Sequence, residues 1–408
     1  MSDDELTTGD QMYRILSIDG GGIYGLVSAI WLRKLSELDP TFLEPGSIRL
    51  FAGISAGAVS ALILATHEDP RKALHEGVLE RFWTERVGAF SNVMNPMAAW
   101  LSLFRIGGWV GEEDFRYVLQ KYIDPKLTLG DLKQRVMIST FNWSGAKEID
   151  FSATSAGPSR GFPFAPSGAF GSSGSFGSFG RFGAPVAPGA QERSWRPKIF
   201  TNLGDDPDRK YRLVDIAYAA ATPAGIRGLR GGVGDAAVFT ANPSVEAIAA
   251  AVHEFRLAQR DKPGSVPVAI LSRLRLLSIG NGSTTPHYWL RNFNFSLRQM
   301  SRYPTNPLMG VFFPPSFGAP SDAAIEEANF IARELLEDGY YRLAPEIMPT
   351  PVVVASLIAR FDLWREALIR QIYSLTDGET SKAAVQGASE FLKNHWRFQI
   401  PGPYSAPD

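Results

Sequence analysis

The sequence has no cysteine among its 408 residues. Disulfides, thiol nucleophiles and cysteine-ligated metals are therefore excluded. The absence also fits a protein of the reducing cytoplasm. Net charge is almost absent too, at −1. The chain as a whole thus offers nucleic acid no electrostatic attraction, and no nucleic-acid partner is expected. No uninterrupted run of about 18 apolar residues occurs, so no transmembrane helix is expected and any membrane contact is expected to be peripheral. The opening MSDDELTTGDQM lacks the basic start and apolar stretch of a secretory signal, and residues 1–12 read as a disordered tail.

Apolar residues make up 45% of the chain and charged residues 20%, an ordinary balance for a globular protein with ample material for a core. "YRILSI" (13–18) is a strand-like run, and "LVSAIWLRKLSEL" (26–38) reads as a helix. "IRLFAGI" (48–54) repeats the strand signal, and "AGAVSALILATH" (56–67) reads as a buried helix. Strand, loop, helix, strand, turn, helix is the order of an α/β fold with a mainly parallel sheet. Further strands are expected at 135–143, 197–203 and 274–282, and helices at 213–222 and 244–255. The last ~80 residues carry helical patterns, such as 322–339 and 357–373. A catalytic domain over 13–320 and a C-terminal helical extension over 321–408, packed on the core, are expected.

Residues 155–190 stand apart as glycine, serine, proline and phenylalanine with almost no charge. Such a composition cannot offset the entropy of ordering its backbone, so a disordered insertion between two strands is expected. Its spaced phenylalanines leave open a second reading, as anchors for a membrane or a partner.

"GISAG" (53–57) has the form G-x-S-x-G, with a strand before it and a small-residue helix after it. That context is what a nucleophile elbow needs. A sharp turn puts Ser55 under strain, and side chains at 53 and 57 would collide, hence the two glycines. The helix that follows aims its first amides and positive dipole end at Ser55.

"IDGGGIYG" (18–25) contains a G-x-G-x-x-G spacing that could cradle a dinucleotide phosphate. That use requires an acid closing the second strand, about 20 residues on, to bind a ribose. The second strand ends instead in Gly53, Ile54 and Ser55. The glycines suit another task. A serine attacking a carbonyl creates an oxyanion, and stabilising it takes two or more backbone amides aimed at one point. Gly20, Gly21 and Gly22 are the candidates.

The serine also needs a base. A Ser–Asp–His triad would use Ser55, Asp235 and His287. Alternatively Asp235, in the glycine-rich "GVGDAAVFTANP", takes the proton directly if it is close and desolvated. A turn aspartate bonding its own backbone is the plainer reading of the same residue.

Three motifs thus stand in order: "DGGGIYG" (19–25), "GISAG" (53–57) and "GDAAVFTANP" (234–243). Together they resemble the patatin-like phospholipase family, as do "DIAYAAATPAGI" (215–226) and "LLSIGNG" (276–282). The resemblance implies a three-layer α/β/α fold. It also implies lipid acyl hydrolysis of the phospholipase A or lysophospholipase type, by a Ser–Asp dyad without metal or other cofactor. It assigns the nucleophile to Ser55, the base to Asp235 and the oxyanion glycines to Gly20, Gly21 and Gly22. Phospholipid or another fatty-acyl ester would be the substrate, with a homodimer or an activating partner as further possibilities.

Two positions depart from the family pattern. Tyr24 replaces an arginine or lysine, removing a nearby positive charge. Ala236-Ala237 replaces a glycine-containing pair after the aspartate, and a backbone angle that alanine disfavours would displace Asp235. A relative that binds lipid without cleaving it is the alternative that these departures raise. Apolar residues of 85–110 could line an acyl channel or pack as ordinary helices.

Overall fold

The computed structural model describes residues 12–93, 112–146, 148–152, 196–222, 229–258, 268–281, 315–345 and 361–396. The insertion at 155–190, His287 and most of the apolar 85–110 segment lie outside the described residues.

The described strands form one sheet, ordered β4-β3-β2-β1-β6-β7, with a short β5 paired to β3. Their ranges are β1 Tyr13–Ile18, β2 Leu50–Ile54, β3 Arg135–Asn142, β4 Arg196–Thr201, β5 Val233–Asp235, β6 Leu274–Ile279 and β7 Tyr340–Leu343. β1, β2, β3, β6 and β7 run parallel, whereas β4 and β5 pair antiparallel with β3. β1 lies at the centre, and both its neighbours are parallel to it. Its residues are almost wholly buried, as the continuous apolar run requires of a strand covered on both faces.

Alternation along the strands divides the core into two layers. Leu16, Ile18, Phe51, Val136, Ile138, Leu277 and Ile279 belong to one cluster. Helix α1 (Gly25–Leu38) and helix α2 (Ala56–Thr66) supply much of the rest of that layer. Tyr13, Ile15, Leu50, Ala52, Met137 and Leu276 turn the other way and meet Ala247, Ala251 and Phe255 of helix α3 (Ser244–Ala258). The architecture is therefore a mainly parallel sheet between two helical layers. Every residue of α2 from Ala56 to Ala65 is buried, which explains why its sequence has no polar face.

The chain from residue 315 on contributes helices Pro315–Leu336, Phe361–Thr376 and Glu379–Phe391. A boundary at 320/321 thus falls inside a helix. The extension also contains β7, which adds to the sheet beside β6. Asn142 and Arg196 pair across the β3–β4 ladder, so the insertion interrupts an antiparallel hairpin. Among the described residues, no helix is long and apolar enough to cross a membrane.

Candidate active site

Ser55 sits between the end of β2 and the start of α2, with φ 50° and ψ −120°. A non-glycine residue at such angles is strained, and the strain is held by the buried elements on both sides. The turn closes tightly because of its glycines. A Cβ on Gly57 would lie 2.0 Å from the Ile18 carbonyl oxygen, and one on Gly53 would lie 2.4 Å from the Gly57 carbonyl oxygen. Both contacts are with backbone, which cannot step aside.

The Ser55 hydroxyl donates to Asp235 Oδ2 at 2.6 Å, across 180 residues of chain. Sheet register explains the meeting. Ile54 of β2 pairs with Ser139 of β3. β5 then pairs with β3 beyond the end of β2, placing Asp235 opposite Thr140, the next residue along. Asp235 therefore continues the line of β2 at the point where the chain turns through Ser55. Its other oxygen, Oδ1, accepts from the Ala237 amide at 2.9 Å.

Asp235 is 4% exposed and Ser55 8%. Burial pushes the Asp235 carboxyl up to about 6, while the bonds from Ser55 and Ala237 act in the opposite direction. A carboxylate tuned towards neutrality and in contact with a hydroxyl has the properties of a proton acceptor in a reaction near pH 7.

Ala236–Val238 continues as a 3-10 turn. Ser55 and Glu337 are the non-glycine residues with positive φ among those described, so neither Ala236 nor Ala237 is forced into the left-handed region. The expected displacement of Asp235 by the alanine pair does not occur.

The glycine loop lies against Ser55. A Cβ on Gly20 would come within 3.0 Å of the Ser55 Cβ. The three glycines are not equivalent as donors. The Gly20 amide donates to the Ala241 carbonyl at 3.0 Å. An amide has one proton, so Gly20 is engaged as a tether between the loop and the segment after Asp235, and it is not free for an oxyanion. The Gly21 and Gly22 amides have no acceptor among the described residues. The Ala56 amide is likewise among the N-terminal donors that α2 leaves open. Tyr24 is half-buried and packs against the apolar layer.

Of the four histidines within the described residues, His253 lies on α3, His67 donates from Nδ1 to the Ile63 carbonyl at 2.8 Å and His75 contacts Ser36 at 3.3 Å. His395 stacks on Phe391. None of these contacts involves Ser55 or Asp235. Among the described residues, no group of three or more histidine, aspartate or glutamate side chains is placed to hold a metal ion.

Two residues of the site region were not singled out by the sequence, although one of them, Asn281, lies within "LLSIGNG". Asn281 donates to the Asp19 and Gly20 carbonyls at 3.0 and 2.8 Å. Arg342 of β7 donates to the Asp19 carboxylate at 2.6 Å. Neither stands in a motif with its partner, and only the sheet brings them together.

The parallel sheet, the strained serine turn and the glycine loop beside it define a protein of the patatin class. The sequence model described as "Patatin-like phospholipase" matches residues 16–227, and the chain belongs to that family. Asp235 lies eight residues beyond the match. The chain is also similar to the Bacillus subtilis (strain 168) protein named "Putative sporulation hydrolase CotR". The two are 22% identical over 406 residues, which cover 94% of this chain and 98% of the relative. It is similar as well to Protein teg of Priestia megaterium, 23% identical over 371 residues, with 85% of this chain and 93% of the relative covered.

Proposed function

We propose that the protein is a serine acyl hydrolase that cleaves fatty-acyl esters of phospholipids or lysophospholipids through a Ser55–Asp235 dyad. The observation that carries this reading is the 2.6 Å hydrogen bond from the hydroxyl of a strained serine to a buried carboxylate. Membership of the phospholipase family supports the lipid ester as substrate class. The substrate is met by peripheral contact with a membrane or micelle.

Asp235 takes the Ser55 proton as Oγ forms a bond to the ester carbonyl carbon. The carbonyl π electrons move to oxygen, and the oxyanion is received by the Gly21 and Gly22 amides, with Ala56 at the head of α2. Collapse restores the carbonyl and breaks the bond to the alcohol oxygen, which takes the proton from Asp235. Water then attacks the acyl-enzyme and gives its proton to Asp235. The second collapse releases fatty acid and returns the proton to Ser55.

Release of fatty acid from phospholipid vesicles, and of p-nitrophenol from p-nitrophenyl esters, tests the reading. Ser55→Ala and Asp235→Ala are each expected to lower turnover by about 10³-fold or more. A fluorophosphonate probe is expected to label Ser55 in the wild type. Unchanged turnover in both variants would overturn the dyad. A folded wild type that neither hydrolyses nor labels would instead be a lipid-binding relative with a lapsed site.

A further inference from the structure

We propose that Arg342 is a positioning residue, which holds the glycine loop at its working height from a strand outside the segment that the family model matches. The proposal rests on the reading of Ser55 and Asp235 given above, with the loop as oxyanion donor.

The argument begins with the sheet. Ser17 of β1 pairs with Ser278 of β6, and Ser278 pairs with Arg342 of β7. The three residues form a row across neighbouring strands on one face. Two of the three have the small side chain of serine. A long side chain from β7 can therefore lie across β6 without meeting a bulky group. Arg342 does so: Nη1 donates to Ser278 Oγ at 2.8 Å, and Nη2 donates to Asp19 Oδ2 at 2.6 Å. Asp19 follows the last residue of β1 and precedes the three glycines.

The pair is enclosed. The Asp19 side chain is 2% exposed and that of Arg342 12%. Asp19 Oδ1 is buried with no partner among the described residues. Among those residues, the Asp19 carboxylate thus depends on Arg342 for its neutralisation. Burial alone pushes the Asp19 carboxyl up, and Arg342 opposes that. An ion pair of this kind contributes little net stability, because desolvation offsets most of the attraction. What it does supply is direction. A buried carboxylate with one charged partner has one low-energy position, and the backbone of Gly20 follows it.

Further tethers act on the same loop. Asn281 holds the Asp19 and Gly20 carbonyls, and Ala241 holds the Gly20 amide. With the Asp19 and Gly20 carbonyls held by Asn281, just past β6, and the Asp19 charge held from β7, the Gly21 and Gly22 amides, without an acceptor among the described residues, are left available to an oxyanion. Arg342 touches neither Ser55 nor substrate in this scheme. It acts through Asp19.

The test compares wild type with Arg342→Met, Arg342→Lys and Ser278→Ala in the full chain, at temperatures where each is folded. Hydrogen exchange of the peptide spanning residues 16–30 reads the loop whether or not Ser55 cleaves esters. Arg342→Met is expected to speed exchange there by about tenfold and to lower kcat by about tenfold or more, with KM within about twofold. Arg342→Lys restores the charge at one point and is expected to recover most of both losses. Ser278→Ala removes one of the two bonds and is expected to give a smaller change in the same direction. Should Arg342→Met not fold, the other two variants decide. A lower melting temperature with loop exchange and kcat unchanged would reduce Arg342 to a structural role and overturn the proposal. Faster loop exchange in Arg342→Met than in a wild type that itself lacks esterase activity would keep the tether and remove the reading of the site.

Discussion

Asp235 and Thr140 face each other across an antiparallel pair that begins where the parallel pairing of β2 with β3 ends. One strand, β3, thus carries the approach to Ser55 on its first five residues and Asp235 on its next three. The distance between hydroxyl and carboxylate is set by two consecutive ladders on one strand, whose repeats are fixed by backbone hydrogen bonding. No long loop has to hold the two groups together.

The raised Asp235 carboxyl predicts the pH dependence of the reaction. The base must be ionised to accept a proton, and its burial places half-ionisation at about 6. With p-nitrophenyl esters, kcat/KM is expected to rise about tenfold per pH unit below that value and to level off above it. A profile flat from pH 5 to pH 8 would contradict the assignment of Asp235 as the base.

The same shift has a consequence for stability. A carboxyl with a folded pKa above its unfolded one binds its proton more tightly in the native state. The native state therefore loses stability as pH rises from about 4 through about 6. Asp235→Asn removes the buried charge and keeps polar atoms for Ser55 and Ala237. It is expected to raise stability by about 1–2 kcal/mol at pH 7.5, with no gain at pH 4, while turnover is lost. Thermal melts of both proteins at the two pH values measure this.

Ala236 provides a third expectation. Its backbone lies in a 3-10 turn without positive φ, so glycine there relieves nothing. Ala236→Gly is expected to cost about 0.5–1 kcal/mol through the added freedom of the unfolded chain, and to leave kcat unimproved. Denaturant melts and steady-state rates check both parts. A rise in kcat would mean that the alanine does hold Asp235 off its best position.

Much of the fold was legible because its central elements have strong local signals. Tyr13–Ile18, the 26–38 helix and the apolar run ending at Ile54 were read within a few residues of Tyr13–Ile18, Gly25–Leu38 and Leu50–Ile54. The serine turn was legible as well, since Gly53 and Gly57 answer a steric demand that operates within five residues. β5 and β7 were not. At three and four residues they are too short for a periodicity, and "VGD" and "YYRL" form strands because β3 and β6 offer them an open edge. The unequal roles of the three glycines were also hidden, because the acceptor of the Gly20 amide, Ala241, comes from another part of the chain.

By itself the sequence determined the α/β order, the turn at Ser55 and the types of group available for chemistry, because each depends on neighbours along the chain. The tertiary structure alone decided that Asp235 reaches Ser55, that Gly20 is spent on Ala241, and that Arg342 reaches Asp19 across a row of serines. Those outcomes depend on strand register and strand order, and pairing energies between distant segments leave no local pattern of residues to read.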